Sequence, residues 1–157
     1  MISVGNTIPT TAIVAINKDG QENISTTDLF AGKKVVLFAL PGAFTPTCSK
    51  SHLPGYITLN DEFMEKGVDM VACLSVNDSF VMTAWAKDQN AENITMLADG
   101  GAAFTKALGL EMDTADFGGL RSQRCAMIIE DNNVTYLNVE APKEFEASKA
   151  ETMLALL

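Results

Sequence analysis

The sequence predicts an α/β domain, a central mixed sheet with helices on both faces. Three observations predict it. Two continuous apolar runs of strand formers, Val35 to Leu40 and Met70 to Val76, read as central strands buried on both sides. Each is followed by a segment with helical spacing, and that alternation favours parallel strands. Near the end, Cys125 to Ile129 and Val134 to Val139 flank Asp131-Asn132-Asn133, which is hairpin spacing and adds antiparallel strands.

The elements follow in order. Thr11 to Ile16 reads as a short strand ended by the turn signal Lys18-Asp19-Gly20. Thr26, Thr27 and Asp28 cap a helical turn before Gly32. Val35 to Leu40 ends at Pro41-Gly42. A helix is expected from about Pro46 to Lys66, with Leu53, Tyr56, Ile57, Phe63 and Met64 on one face and a kink at Pro54. After the second central strand, Asn77 or Asp78 caps a helix reaching Gln89, with Phe80, Val81, Ala84 and Trp85 on its inner side. Ile94 to Leu97 is a third strand. Asp99 caps a short helix over Ala102 to Leu108, closed by Gly109. Pro142 is placed to open a final helix ending in Leu154, Leu156 and Leu157. This order is the plan of thioredoxin-like domains.

No repeat, low-complexity stretch or linker divides the 157 residues, so one domain over 1–157 is expected. The formal charge is −9, which argues against nucleic acid or an anionic membrane surface as partner. No apolar run is long enough to span a bilayer, and Met1 to Asn6 shows no export signal, so a cytoplasmic location is expected. The three cysteines, Cys48, Cys73 and Cys125, are odd in number and widely spaced. They read as free thiols in a reducing compartment.

Cys48 is the chemically placed one. It follows a buried strand and sits in the first turn of a helix, in Pro41-Gly42-Ala43-Phe44-Thr45-Pro46-Thr47-Cys48. Backbone N–H groups and the helix dipole there favour negative charge, and a cysteine so placed gains thiolate character. The alternative is a small buried hydrophobe. Thr45 stands where a Cys-x-x-Cys motif has its first cysteine, so Cys48 has no disulfide partner in the motif. The hydroxyl of Thr45 can donate to one atom and accept from another. His52 lies one turn on and is a candidate for the substrate pocket; protonated it would favour the Cys48 thiolate, and the alternative is a hydrogen-bonded helix residue that shapes the site. Cys48 and His52 have no further ligands at metal-binding spacing, so no metal site is expected.

Pro41-x-x-x-Thr45-x-x-Cys48 resembles the peroxidatic motif of peroxiredoxins. The strings Cys48-Ser49-Lys50, His52 to Tyr56, Val71 to Asp78 with Trp85, Phe104 to Leu110, Arg121-Ser122-Gln123-Arg124 and Leu137 to Glu140 are similar to the peroxiredoxin-5 subfamily, which includes plant type II enzymes. The resemblance covers nearly the whole chain. It implies a thiol-dependent peroxidase that reduces hydrogen peroxide and small organic hydroperoxides to water or alcohol, without metal or organic cofactor. Cys48 would attack the peroxide and become a sulfenic acid. Thr45 would hydrogen-bond the sulfur and the peroxide, and Pro41 would shield the sulfur. Arg124 would hold the thiolate and stabilise charge developing on the peroxide oxygens.

Phe44 and Phe117 are expected as the apolar wall of the peroxide pocket. Cys73 matches the second cysteine of plant type II enzymes and is a possible resolving thiol, with a buried inert role as the alternative. No cysteine follows Cys125, so the resolving loop cysteine of some animal members is absent. One-cysteine turnover with glutathione and glutaredoxin as external reductant is therefore expected, in a homodimer. A redox relay passing oxidation from Cys48 to a partner protein, or a thioredoxin-like binding domain with a dead site, are the rival readings.

Overall fold

The computed structural model describes residues 1–157. Nine strands and five α-helices form. The strands are β1 (Ala12–Asn17), β2 (Gly20–Ser25), β3 (Lys34–Ala39), β4 (Met70–Ser75), β5 (Thr95–Ala98), β6 (Glu111–Asp113), β7 (Leu120–Ser122), β8 (Cys125–Glu130) and β9 (Asn133–Val139). The helices are α1 (Thr26–Phe30), α2 (Leu53–Glu65), α3 (Ser79–Gln89), α4 (Ala103–Leu108) and α5 (Ala150–Leu154). A seven-stranded sheet runs in the order β2-β1-β5-β4-β3-β8-β9, and β6 and β7 form a separate ribbon. The strands β3, β4 and β5 are parallel, and the outer pairs are antiparallel. The mixed sheet expected from the apolar runs is therefore present, and β3 and β4 occupy its middle.

Two apolar layers cover the sheet. One packs Val36, Phe38 and Cys73 against Leu53, Tyr56 and Phe63 of α2, Trp85 of α3 and Met153 of α5. The other packs Val35, Leu37 and Leu74 against Phe30 of α1 and Phe104 and Leu108 of α4. Alternate residues of β3 thus serve opposite layers, as a strand's period of two requires. Phe38 stacks on Tyr56 at 3.9 Å between ring centroids. That contact fixes the height of α2 above the sheet.

Local chemistry explains the ends of the elements. Ser25 caps α1 through Asp28 N–H, and Asp78 caps α3 through Val81 N–H. The β8–β9 turn places Asp131 and Asn132 at φ 45° and 67°, the paired left-handed conformations of a type I′ hairpin. Asp99 is buried and accepts from Phe104 N–H, Thr105 N–H and the Thr105 hydroxyl at 3.1, 2.8 and 2.7 Å. It holds the start of α4 from outside the helix.

Four details depart from the sequence reading. The strand β2 and the β6–β7 ribbon are extra. The helix expected from Pro46 begins as a wide π-type turn over Cys48–His52, in which Leu53 N–H reaches Cys48 O. Pro54 has no N–H to give Lys50, and its ring would crowd that carbonyl in a regular helix, so the chain widens there instead of kinking. On α3, Met82 and Trp85 are buried while Phe80 is 85% exposed. Pro142 does not open the last helix. It sits in a turn with Lys143 at φ 66°, and α5 starts at Ala150.

Replacing Asp99 by Ala leaves three buried donors without their acceptor. Urea unfolding should show Asp99→Ala losing about 2–3 kcal/mol with an unchanged m-value. A loss under about 0.5 kcal/mol would mean that α4 holds its place without the carboxylate.

Candidate active site

The sheet register assembles the site. In the β3–β8 pair Ala39 lies opposite Cys125, and in the β8–β9 pair Cys125 lies opposite Val139. One step further along come Leu40, Arg124 and Glu140, and Pro41 follows Leu40. All reach the same edge of the sheet, where β3 delivers the chain into the Pro41–Cys48 loop. Residues separated by 76 positions, Cys48 and Arg124, therefore meet.

Cys48 is fully buried and free. Arg124 Nη2 donates to its Sγ at 3.2 Å. Arg124 Nη1 donates to His52 Nδ1 at 2.8 Å. A guanidinium has no lone pair to offer, so Nδ1 must be the accepting nitrogen and His52 carries its proton on Nε2. That proton goes to the Ser148 carbonyl at 3.1 Å, which also accepts from the Tyr56 hydroxyl at 2.6 Å. Burial, then the Arg124 charge, pushes the His52 pKa down to about 3. The imidazole is thus neutral at physiological pH. It is an acceptor for Arg124, and it does not supply the second positive charge expected beside the sulfur.

Thr45 lies in the same loop. Its hydroxyl donates to Gly42 O at 2.7 Å, so its single proton is committed there and not to Cys48. Its lone pairs remain to accept. Pro41 and Arg124 line a pocket of about 440 Å³, together with Thr47, Met112, Gln123 and Phe145. Phe145 packs edge-on against His52, 5.2 Å between centroids, and lies 5.9 Å from the Arg124 guanidinium carbon.

Phe44 and Phe117 are not part of that pocket. Phe44 takes φ 63°, is 53% exposed and leans toward Trp85, and Phe117 is 75% exposed on the β6–β7 ribbon. The aromatic wall at Arg124 is Phe145. Nothing in the sequence marked it, because it stands in an acidic stretch that reads as solvated surface. Ser148 was equally hidden, since its carbonyl does the bonding.

Burial disfavours the thiolate of the other two cysteines. Cys73 is buried in β4, and desolvation, then the nearby Cys48, drives its pKa well up. Cys125 lies in the opposite apolar layer, where burial raises it to about 12. A neutral thiol is a poor nucleophile.

Comparison with known proteins shows the family. The redoxin family profile matches residues 3–154. The chain is 45% identical to Peroxiredoxin-2D of Arabidopsis thaliana, over 99% of this chain and 98% of that one. The chain belongs to the redoxin family, as a peroxiredoxin. Its fold superposes on reduced Prx3 from Vibrio vulnificus in complex with hydrogen peroxide, with a TM-score of 0.96 and 64% identity over 99% of both chains. Peroxiredoxin 5 from Alvinella pompejana follows it with a TM-score of 0.85 and 38% identity, over 99% of this chain and 97% of that one. Peroxiredoxins are thiol peroxidases, so the chemistry of this chain is thiol-dependent peroxide reduction on a thioredoxin-like fold.

The neutral state of His52 links stability to pH. Its folded pKa lies below the unfolded value of 6.5, so the unfolded chain binds the extra proton. Stability is full above about pH 6.5 and falls as pH drops toward about 3. Between pH 7 and pH 5, wild type should lose about 2 kcal/mol more than His52→Gln in urea unfolding. Parallel losses in the two proteins would show that His52 titrates normally.

Proposed function

We propose that Cys48 is the peroxidatic nucleophile of this peroxiredoxin and that Arg124 is its electrostatic partner. The carrying observation is the 3.2 Å contact from Arg124 Nη2 to the buried Sγ. The thiolate attacks one peroxide oxygen and the O–O bond breaks. The sulfur becomes a sulfenic acid, and the departing oxygen takes a proton and leaves as water or alcohol. Arg124 faces the charge that develops on that oxygen, in a site whose burial strengthens the interaction. Thr45, with its proton held by Gly42 O, presents lone pairs to the proton of an incoming hydroperoxide. Pro41 forms part of the pocket wall and limits water at the sulfur.

An external thiol restores the enzyme. Its sulfur attacks the sulfenic acid, water leaves, and a second thiol reduces the mixed disulfide. Burial and the raised pKa values of Cys73 and Cys125 support this one-cysteine route. Glutathione with glutaredoxin is the reductant we infer, in a reducing, cytoplasmic setting. No helix is long and apolar enough to cross a membrane. We also infer a homodimer. Phe80, Phe117 and Phe44 are largely exposed, and a second copy covering them would remove the largest apolar rings from water.

Peroxide consumption with glutathione and glutaredoxin tests the assignment. Cys48→Ser should be inactive, whereas Cys73→Ser and Cys125→Ser should cycle at near wild-type rates. A folded Cys73→Ser that reacts once and then stalls would make Cys73 the resolving thiol. Wild type that oxidises but never turns over with a small thiol would favour the relay. Arg124→Gln should lower the second-order rate with peroxide by about 10²–10³-fold. In sedimentation velocity, Phe80→Ser with Phe117→Ser should shift a dimer to monomer, and an unshifted boundary would place any interface elsewhere.

A further inference from the structure

The Arg124 guanidinium has two partners, and one of them, His52, is itself held through its other ring nitrogen. Its Nε2 proton goes to Ser148 O. What holds Ser148 is Glu140, only 9% exposed. Oε2 of Glu140 accepts from Glu146 N–H, Ser148 N–H and the Ser148 hydroxyl at 2.8, 2.8 and 2.7 Å. Oε1 accepts from Ala147 N–H at 3.0 Å. One carboxylate therefore gathers four donors from three consecutive residues. Its own N–H donates to Arg124 O at 2.9 Å, which ties it to the β8 end that carries the guanidinium.

Burial alone would raise the Glu140 pKa, but the Ser148 hydroxyl and the three backbone N–H groups outweigh it and hold the group below the usual range. The carboxylate stays ionised and keeps all its acceptor positions.

We propose that Glu140 is a positioning residue for the peroxidatic site, acting through Ser148 O and His52 to set the direction of the Arg124 guanidinium. The chain of contacts has a defined polarity. Glu140 fixes the 146–148 segment, and that segment presents one carbonyl to Nε2. The tautomer so chosen leaves Nδ1 as the acceptor for Arg124, and Nη2 then points at Sγ. Tyr56 adds a second donor on the same carbonyl and anchors it to α2. Phe145, just before the gathered segment, is placed against both His52 and Arg124 by the same fold. The inference rests on the reading of Cys48 and Arg124 as the reacting pair.

Glu140→Gln is the discriminating variant. A Gln amide keeps one oxygen and turns an NH2 group toward backbone donors, so the segment must shift. His52 is the only histidine, so its two ring nitrogens give unambiguous signals in 15N-labelled protein. Wild type should show the single tautomer protonated at Nε2, and Glu140→Gln should lose that single-tautomer pattern. The rate of Cys48 oxidation by hydrogen peroxide should fall about tenfold in Glu140→Gln. In an Arg124→Gln background, the same change should alter the rate by less than roughly twofold, because the group it positions is gone. Should Glu140→Gln fail to fold, Ser148→Ala removes one of the four bonds and should show the same changes in smaller measure. An unmoved tautomer, an equal rate loss in both backgrounds, or a lowered melting temperature with an unchanged rate would each overturn the inference. If Arg124→Gln alone keeps the wild-type rate, the reading of the reacting pair falls, and the His52 tautomer still decides the role of Glu140.

Discussion

A guanidinium cannot give up its charge, and in this site it lies beside a fully buried sulfur. Every buried N–H of such a group needs an acceptor, because an unpaired buried donor costs on the order of 1–3 kcal/mol, and more where charge is involved. Arg124 finds two acceptors, Sγ of Cys48 and Nδ1 of His52. The second choice forces the next one. An imidazole that accepts at Nδ1 must donate at Nε2 if it is to stay neutral, and a buried N–H needs a carbonyl. Ser148 supplies it, so a residue 96 positions from His52 becomes part of the site. The cation on one side of the ring and the Ser148 carbonyl on the other thus demand the same His52 tautomer.

That cation is delivered by register. A slip of one residue in the β3–β8 pair would move Arg124 away from Pro41 and turn the alternate side chains of β8 to the wrong apolar layer. The core resists this, because Val35 and Leu37 serve one layer and Val36 and Phe38 the other. Packing energy spread over the whole sheet thus fixes where the guanidinium stands at its edge. The Phe38–Tyr56 stack does the same for α2, and through it for His52 and the Tyr56 hydroxyl that shares Ser148 O.

The legible part of the molecule is the part that local chemistry determines. Apolar runs placed β3 and β4, Asp78 and Asp99 placed the helix starts, and Asp131-Asn132 placed the hairpin. Cys48 and Arg124 stood out through motif, and the structure brings them into contact. What stayed hidden depends on groups that carry no sequence signal. The partner of His52 is a backbone carbonyl, so no side-chain pattern announces it. The protonation of His52 depends on burial and on Arg124, and neither is visible from the helix spacing that suggested an imidazolium. Phe80 reads as core by composition and stands in solvent. The short strand β2 lacks apolar alternation, since Gly20 to Asn23 are all exposed, and pairing with β1 alone makes it a strand.

Three chemically identical thiols end in different surroundings for reasons of position. Cys73 lies within β4 and Cys125 opens β8, on opposite faces of the sheet, where no cation donates to them and burial favours the protonated thiol. Cys48 is just as buried, but it sits where a helix begins and where a strand end delivers a guanidinium. Burial without a partner silences a thiol, whereas burial with a fixed cation excludes water while leaving charge compensated. The guanidinium also reaches open space. Pro41, Thr47, Met112 and Phe145 line a pocket of about 440 Å³ with Arg124, so the cation that donates to the buried sulfur also faces that pocket. The Cys48–His52 turn that carries this sulfur departs from regular helix because Pro54 has no N–H to return to Lys50, so the proline shapes the backbone on which the sulfur sits.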